Sequence, residues 1–373
     1  MKIGLVCPYN MWGNGGVQEC VASVADELEA RGHEVRIITP KPRGYKGRVP
    51  KRILTAGMSA NLRAFLSTQT QVSASIDTDA IKRMLDEEQF DVLHFHEPWV
   101  PIVSRQVLTR SKSANIATSH AKMPDGLTTK AIANMFNSYT KFLIRHIHAY
   151  SAVSEPAAEY VRSFIEEKIE IIPNGIDLKK YKPSPRKETK QKTILYIGRL
   201  EKRKGVIHLL EAYKELSKHH HDVQLVIAGD GELRPGFEQW VKDHRVPRVK
   251  FLGFVSERRK HSLLNNADVF CSPALYGESF GIVLLEAMAM GLVTVAGNNP
   301  GYASVMQGDG QGSLVDPRDT KAFANKLENY LYNQKLRNSW QKWAKDYVKQ
   351  FDYPKIVDKY EQLYKTGLKN LKK

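Results

Sequence analysis

Two carboxylates in the second half of the chain have a spacing suited to binding and catalysis. Glu278 and Glu286 are eight positions apart, slightly more than two helical turns, so both can face one side of a helix start or of the loop before it. A carboxylate at such a place is stabilised by the helix dipole, and neighbouring backbone N–H groups can meet a diphosphate or sugar hydroxyls. Taken alone, the pattern is equally typical of a helix cap beside a solvated glutamate.

A cluster of fixed cations follows the first apolar run of the same half. Arg199, Arg203 and Lys204 lie between Gly198 and Gly205. The carboxyl ends of parallel strands form the edge at which open α/β sheets bind ligands. Arginine offers a fork of donors to phosphate oxygens and lysine a compact charge, so the cluster predicts a diphosphate site. A solvated basic loop is the alternative.

A glycine-rich loop, residues 13–16, stands between a strand-like run and an amphipathic run near the start of the chain. Backbone N–H groups at such a helix start suit phosphate oxygens. A dinucleotide-binding fingerprint would need a glycine at position 18, where Gln18 stands, and an acid at the end of the second strand, where Thr39 and Pro40 stand. Both differences exclude the NAD-binding interpretation.

Histidines and a pair of aspartates raise the question of a metal. His120 ends a strand-like run, where its imidazole could bond a sugar hydroxyl or serve a structural role. The other histidines, His94, His96 and the run 219–221, lack matched metal-ligand spacing with an acidic helper, so no bound metal is expected. Asp77 and Asp79 precede a helical pattern and are interpreted as capping residues.

The elements that position these residues alternate between strand and helix in both halves. The predicted strands of the first half cover residues 3–7, 34–39, 92–95, 116–118 and 149–153, with a helix over 17–30. Those of the second half cover residues 193–197, 223–228, 249–252, 268–271 and 292–296, with helices over 206–217 and from about Ser279. This alternation predicts two doubly wound α/β domains, residues 1–172 and 173–354, with a last helix over 355–365 that could cross back to the first.

Composition limits the class of protein and its partners. The 373 residues are 42% hydrophobic and 26% charged, as in a globular protein, and exceed the usual size of one core. Three scattered cysteines and no signal-peptide pattern favour a reducing compartment. The net charge of +16 is concentrated at Lys41, Arg43, Lys46, Arg48, Lys51 and Arg52. Such a surface attracts anionic partners or only improves solubility.

Taken together, the motifs carry a family resemblance. The chain resembles GT-B, family-four retaining glycosyltransferases along nearly its whole length. The resemblance rests on motifs in one order: Gly15-Gly16, His120, residues 173–177, Gly198-Arg199 with Lys204-Gly205, residues 228–231, and Glu278 to Glu286. Within the family it is similar to the phosphatidylinositol mannosyltransferase group, through residues 6–9, 15–18, 94–98 and 277–284.

The resemblance implies two Rossmann-like domains that face a central cleft, with the last helix (355–373) packed on the first. It implies a retaining, metal-independent transfer of a hexose, mannose from GDP-mannose, to a membrane lipid such as phosphatidylinositol. A UDP-sugar with a soluble acceptor, a sugar-nucleotide epimerase and a non-catalytic binding protein stay open as alternatives. The expected location is cytoplasmic, on the inner face of the plasma membrane, with an anionic membrane surface rather than nucleic acid as partner.

The same resemblance implies roles for individual residues. The catalytic residues would be His120, Arg199, Lys204 and Glu278. The donor-binding residues would be Gly16, Arg203, Val255, Glu257, Phe280, Gly281, Ile282 and Glu286, with Val255 and Glu257 beside the base. The acceptor-binding residues would be Tyr9, Asn14, Gly15, Gln18, Arg63 and Lys122. No cofactor and no metal are implied.

Overall fold

The computed structural model describes residues 1–13, 15–62, 70–74, 78–121, 130–186 and 189–372. The chain divides into a first unit, Met1–Gly175 with Tyr353–Lys373, and a second unit, Ile176–Asp352. This division falls three residues after the predicted boundary at 172/173, and the chain returns to the first unit at Tyr353 rather than at 355.

The first unit contains an eight-stranded sheet. Its strands are β1 Lys2–Val6, β2 Glu34–Pro42, β3 Ile53–Leu62, β4 Thr70–Ala74, β5 Val92–His96, β6 Ala114–Ser119, β7 Ala149–Ala152 and β8 Ile169–Ile171. Their order is β4-β3-β2-β1-β5-β6-β7-β8, with parallel neighbours except that β4 runs antiparallel to β3. All five strands predicted for this half correspond to strands of the sheet.

Three strands of this sheet were not predicted. The sequence of β4 is polar, and the strand lies at the sheet edge, where it pairs with β3. An edge strand does not need the continuous apolar sequence of a strand covered on both faces. A helix follows β4, with Asp79 in its first turn, whereas Asp77 lies outside the described residues.

Within the described residues, five α-helices accompany this sheet before the chain enters the second unit. They are α1 Gly16–Ala30, α2 Thr78–Glu88, α3 Val103–Leu108, α4 Lys130–Ile144 and α5 Glu155–Arg162. The helix predicted for 17–30 corresponds to α1. It buries Cys20, Val21, Val24, Ala25 and Leu28, one face at helical spacing, in a core with residues of β1 and β2.

The second unit contains a six-stranded parallel sheet. Its strands are β9 Lys192–Ile197, β10 Val223–Ala228, β11 Val249–Gly253, β12 Val269–Ser272, β13 Val293–Gly297 and β14 Leu314–Val315. Their order is β11-β10-β9-β12-β13-β14, so the strand order reverses between β9 and β12. The carboxyl ends of strands at such a reversal form the usual ligand-binding crevice of an open α/β sheet.

Seven α-helices belong to the part of the second unit that the structure describes. They are α6 Val206–His219, α7 Arg234–Asp243, α8 Glu257–Asn266, α9 Ile282–Ala289, α10 Pro300–Val305, α11 Thr320–Tyr332 and α12 Gln334–Tyr347. Helix α9 begins at Ile282, three residues after the predicted start at Ser279, because Gly281 precedes it with φ +115°, a left-handed conformation that ends the preceding loop. Glu278 therefore lies in the loop before the helix and Glu286 lies inside the helix.

The last helix, α13 Tyr353–Leu371, extends beyond the predicted 355–365 and packs on the first unit. It buries Tyr360 and Tyr364 in the same core as α1. Arg31 at the end of α1 forms ion pairs with Asp358 and Glu361 at 2.7 Å. The two parallel-sheet units confirm the predicted α/β fold class.

None of the described helices combines the length and the apolar character that crossing a bilayer requires.

Candidate active site

The cations predicted to bind a diphosphate lie after β9, in a loop that contains a short 3₁₀ helix, Lys202–Lys204. Gly205 ends this turn with φ +66°, and a Cβ there would lie 2.2 Å from the carbonyl oxygen of Pro273. Only glycine permits such a close backbone approach, which packs the loop against the segment after β12. The backbone therefore fixes the cations at the carboxyl edge of the sheet.

Two glutamates connect these cations into one chain of charges. Glu201 accepts from Arg199 Nη1 at 2.7 Å and from Arg203 Nε at 3.1 Å. Glu278 Oε1 accepts from Arg203 Nη1 and from Lys204 Nζ, both at 2.7 Å. Glu278 thus contacts both Arg203 and Lys204 directly, and Arg199 joins them through Glu201.

The cluster has one more cation than carboxylates and is unevenly exposed. The side chains of Glu278, Arg203 and Lys204 are 12%, 14% and 15% exposed, whereas that of Arg199 is 49% exposed. Charges shielded in this way are screened less by salt than surface charges. Because a diphosphate carries more negative charge than a carboxylate, it can compete with the two glutamates for these cations. Glu201 was missed by the sequence reasoning, which treated it only as part of the basic loop.

The loop that carries Glu278 is held by close backbone packing. Gly301, in α10, approaches so closely that a Cβ there would lie 2.0 Å from the carbonyl oxygen of Glu278. Phe280 is buried, and its ring meets Phe351 edge to face at a centroid distance of 6.0 Å. Asn299 caps α10 by accepting from Tyr302 N at 3.0 Å. These contacts hold the loop that carries Glu278 in one position.

Glu286, predicted to bind ribose, lies in a buried network. Its Oε1 accepts from Tyr181 Oη and from Lys260 Nζ, both at 2.7 Å. Lys260 Nζ also lies 2.8 Å from Glu257 Oε2, so the lysine connects the two glutamates predicted to hold ribose and base. Burial lowers the pKa of Lys260, but Glu286 and Glu257 raise it by more, and the lysine stays charged.

Lys260 and Tyr181 were both missed by sequence reasoning. Lys260 stands three positions after Glu257 on α8, a spacing that brings side chains together on a helix and could have indicated the pair. No local pattern indicates Tyr181, which lies far from Glu286 in sequence. Val255 is half-buried just before α8, and Glu257 is mostly exposed.

In the first unit, the glycine loop leads into α1 as predicted. Gly15 is the residue before the helix and Gly16 is its first residue. The Gln18 side chain folds back over the loop, because its Nε2 donates to the carbonyl oxygen of Asn10 at 3.5 Å and its Oε1 lies close to Gly15. The carbonyl oxygen of Tyr9 accepts from Thr39 Oγ1 at 2.8 Å, and burial raises the pKa of the Tyr9 phenol.

Three predicted acceptor-binding residues, Asn14, Arg63 and Lys122, lie outside the described residues.

His120 lies directly after β6 and is buried. One of its ring nitrogens, Nε2, forms a 2.9 Å hydrogen bond with His96 Nδ1. Burial lowers the pKa of His120 to about 4 and lowers that of His96 well below its usual range, so both rings are neutral near pH 7. His96 Nε2 is buried and has no hydrogen-bond partner among the described residues. The buried side chain of Asn174 interacts with the His120 ring by a hydrogen bond that raises the His120 pKa, against the larger lowering by burial.

His94, on the same strand as His96, has a structural role. It bonds to Tyr364 Oη at 2.9 Å and to Thr118 Oγ1 at 2.6 Å, and so ties α13 to the sheet. Within the described part of the chain, Cys20, His96 and His120 are the one group of three side chains whose ligand-type atoms lie within 4.8 Å of one another. The spacing argument missed this grouping, which joins three separate elements. Burial raises the pKa of the Cys20 thiol to about 12, so the group is a neutral cluster.

The chain matches two known protein families and a known fold. Residues 177–347 match the family model "Glycosyl transferases group 1", and residues 14–180 match "Glycosyltransferase Family 4". The fold is similar to that of sucrose-phosphate synthase from Thermosynechococcus elongatus, with a TM-score of 0.78 and 20% identity over 98% of each chain. Two parallel-sheet units of this kind define the GT-B class of glycosyltransferases.

The chain is also similar over its whole length to particular enzymes. It is 31% identical to the phosphatidyl-myo-inositol mannosyltransferase of Mycobacterium leprae, over 98% of this chain and 97% of the relative. Identity to the phosphatidyl-myo-inositol mannosyltransferase of Mycolicibacterium smegmatis is 31%, over 98% and 94%. The chain belongs to the GT-B glycosyltransferase family that includes these mannosyltransferases, which confirms the predicted resemblance.

Proposed function

We propose that the chain is a retaining mannosyltransferase that moves mannose from GDP-mannose to a phosphatidylinositol-type lipid. The observation that carries this proposal is Glu278 Oε1 bonded to both Arg203 and Lys204 on a rigid loop at the sheet edge, in a chain similar throughout to phosphatidyl-myo-inositol mannosyltransferases. The donor binds to the second unit and the acceptor to the first.

The second unit stabilises the leaving group. In the transfer, the bond from mannose C1 to the diphosphate oxygen breaks, and a bond from C1 to an acceptor hydroxyl oxygen forms on the same face of the sugar. The acceptor proton passes to the released phosphate oxygen, so charge balances. Arg199, Arg203 and Lys204 stabilise the negative charge that develops on the diphosphate. We expect this electrostatic stabilisation of the transition state to contribute most to the rate. Because these three cations supply the positive charge, the proposed reaction needs no metal.

Further contacts hold the donor in place. Glu278 meets sugar hydroxyls, and the N–H groups at Phe280, Gly281 and Ile282 face the diphosphate. Glu286 holds ribose hydroxyls, aligned by Lys260 and Tyr181.

The first unit orients the reacting sugar and the acceptor. The Nδ1 atom of His120, beside the Asn174 side chain, bonds a sugar hydroxyl. Tyr9, Gly15 and Gln18 bind the acceptor headgroup, and Gly16 binds the donor. Asn14, Arg63 and Lys122 stay predictions for acceptor binding.

The proposal is tested by incubating the purified chain with GDP-mannose and phosphatidylinositol vesicles, then identifying the lipid product by mass spectrometry. An α-linked mannose in the product, seen by NMR, establishes retention, and the same rate in EDTA establishes metal independence. Product formed only from a UDP-sugar, or only on a soluble acceptor, supports the alternative glycosyltransferase and overturns the proposed substrates.

The base preference provides a second prediction. Glu257 is positioned by Lys260 and keeps a carboxylate oxygen that can accept from the N1–H and amino groups of guanine. We expect GDP to bind more tightly than UDP, and Glu257→Ala to weaken GDP binding about tenfold, as for a lost charge-assisted hydrogen bond. Calorimetry with both nucleotides measures this. Glu215→Ala, an exposed glutamate on α6, serves as control. Tighter binding of UDP contradicts the GDP assignment.

The basic segment 41–52 provides a third prediction, for association with the membrane. Arg52 pairs with Asp26 at 2.6 Å and is partly neutralised, but Lys46, Arg48 and Lys51 are exposed. Each basic residue near an anionic bilayer contributes about 1 kcal/mol of attraction, weakened by salt. Changing these three to glutamine should reduce sedimentation with phosphatidylserine vesicles at low salt and leave GDP affinity unchanged.

A matched control changes three exposed lysines of the second unit, Lys242, Lys321 and Lys335, to glutamine and so removes the same charge. Vesicle binding that survives in the first variant, or falls equally in both, contradicts a membrane role for the basic segment.

A further inference from the structure

Two consecutive residues at the end of β5 contact different parts of His120, one its ring and the other its backbone. His96 is the last residue of the strand and Glu97 follows it. The His96 ring bonds the His120 ring, and the Glu97 side chain bonds the His120 main chain. The side chain and the backbone of one histidine are thus held by a single dipeptide of the neighbouring strand.

Glu97 is an unusual residue for this place. Its carboxylate is 5% exposed, and its Oε2 accepts from the backbone N–H groups of His120 at 2.7 Å and Ala121 at 2.9 Å. Its own N–H donates to the carbonyl oxygen of Thr118 at 2.8 Å. Burial raises the pKa of the Glu97 carboxyl to about 7, against the opposing effect of these two N–H bonds. Burying a carboxylate costs free energy unless the group is well hydrogen-bonded. Glu97 is bonded to two backbone N–H groups and so holds both of them in place.

The Glu97 backbone is also strained. Its φ of +55° lies in the left-handed region, which is uncommon for residues other than glycine. Such conformations cost free energy and persist where the surrounding structure requires them, often beside functional sites. The turn after β5 therefore keeps an unfavourable conformation that brings the Glu97 carboxylate under the His120 main chain.

His96 controls the state of the His120 ring. Both imidazoles are neutral, so the 2.9 Å bond between His96 Nδ1 and His120 Nε2 holds one proton. If His96 donates, His120 carries its proton on Nδ1 and offers a donor there. If His120 donates, its Nδ1 is a bare acceptor. The tautomer of His96, together with the Asn174 side chain that contacts the same ring, thus sets what His120 Nδ1 offers to a hydroxyl.

We propose that His96 and Glu97 are positioning residues for His120: Glu97 fixes its main chain and His96 fixes its ring orientation and tautomer. This inference rests on the proposed function, in which His120 bonds a hydroxyl of the transferred sugar. Neither positioning residue touches the substrate. A displacement of about 1 Å of a group that positions the reacting atoms lowers the rate by up to about a hundredfold. Loss of either contact to His120 should therefore lower kcat.

Kinetics of transfer test the role of Glu97. Glu97→Ala should lower kcat by about tenfold to a hundredfold with little change in the KM for the nucleotide sugar, because the diphosphate site lies on the second unit. Glu97→Gln, which keeps an oxygen acceptor for both amides, should recover most of that loss. If Glu97→Gln is as slow as Glu97→Ala, the carboxylate acts through its charge, and the positioning role is wrong.

NMR of the imidazole ¹⁵N nuclei tests the role of His96 without any activity. His120 should show one fixed neutral tautomer in the parent chain and a mixture of tautomers in His96→Ala. Asn115→Ala, which removes a buried polar side chain at the opposite end of β6, should lower the melting temperature and leave the His120 signals unchanged. Unchanged His120 signals in His96→Ala overturn the proposal. If instead His120→Ala transfers sugar at the parent rate, the proposed role of His120 itself fails.

Discussion

Lys204→Ala is expected to lower kcat by about a hundredfold or more, the largest loss among the cations of the second unit. Lys204 is largely shielded from solvent and bonds Glu278 at 2.7 Å, so its charge acts in a poorly screened environment. Removing one preorganised donor to a charge that develops in the transition state costs about a hundredfold to a thousandfold in comparable sites. Arg199→Ala should follow the same direction with a smaller loss, because that side chain is half-exposed.

Steady-state kinetics with GDP-mannose, together with calorimetry for GDP, measures both changes. Lys202→Ala provides the matched control, since Lys202 is an exposed lysine in the same 3₁₀ helix. We expect the control to retain turnover and all three variants to retain the melting temperature of the parent. Parent-like turnover in both Lys204→Ala and Arg199→Ala would show that the diphosphate leaves from another place.

Much of the fold was predictable because local sequence was sufficient to indicate it. β1, β9 and β10 are apolar runs of strand length, and α1 and α6 follow glycines with one apolar face each. The loop position of the cations near Gly198 was predictable because they directly follow a strand-like run, and the carboxyl ends of parallel strands form the ligand-binding edge.

Other features depend on contacts between distant segments and have no local signal. β4 pairs with β3 at the sheet edge, and its polar sequence gives no indication of a strand. Tyr181 reaches Glu286 across 105 positions, and Cys20, His96 and His120 come together from a helix and two strand ends. The role of Glu201 was also not predictable, because an acid within a basic run is usually solvated. In the structure it forms ion pairs with two arginines.

Gly301→Ala is the second change expected to have a large effect. An added Cβ would meet the carbonyl oxygen of Glu278 at 2.0 Å, its carbonyl carbon at 2.4 Å and the carbonyl carbon of Ser279 at 3.0 Å. These are backbone atoms, which cannot turn aside like a flexible side chain, so either α10 or the Glu278 loop must move. A shift of about 1 Å moves Glu278 away from Arg203 and Lys204, and transfer should fall by about a hundredfold. Such overpacking typically costs about 1–3 kcal/mol of stability.

Gly236→Ala separates this local displacement from a general effect of adding a methyl group. Gly236 lies in α7, where a Cβ meets nothing within 4 Å, so alanine there should stabilise the helix by about 0.5–1 kcal/mol and leave transfer unchanged. Thermal melts, GDP calorimetry and turnover distinguish the two variants. Because the Gly301 methyl group acts on the Glu278 loop, its turnover should stay low even at temperatures where the variant is fully folded. Normal turnover in folded Gly301→Ala would mean that the position of Glu278 is not critical for transfer, and its assignment to the donor site would have to be abandoned.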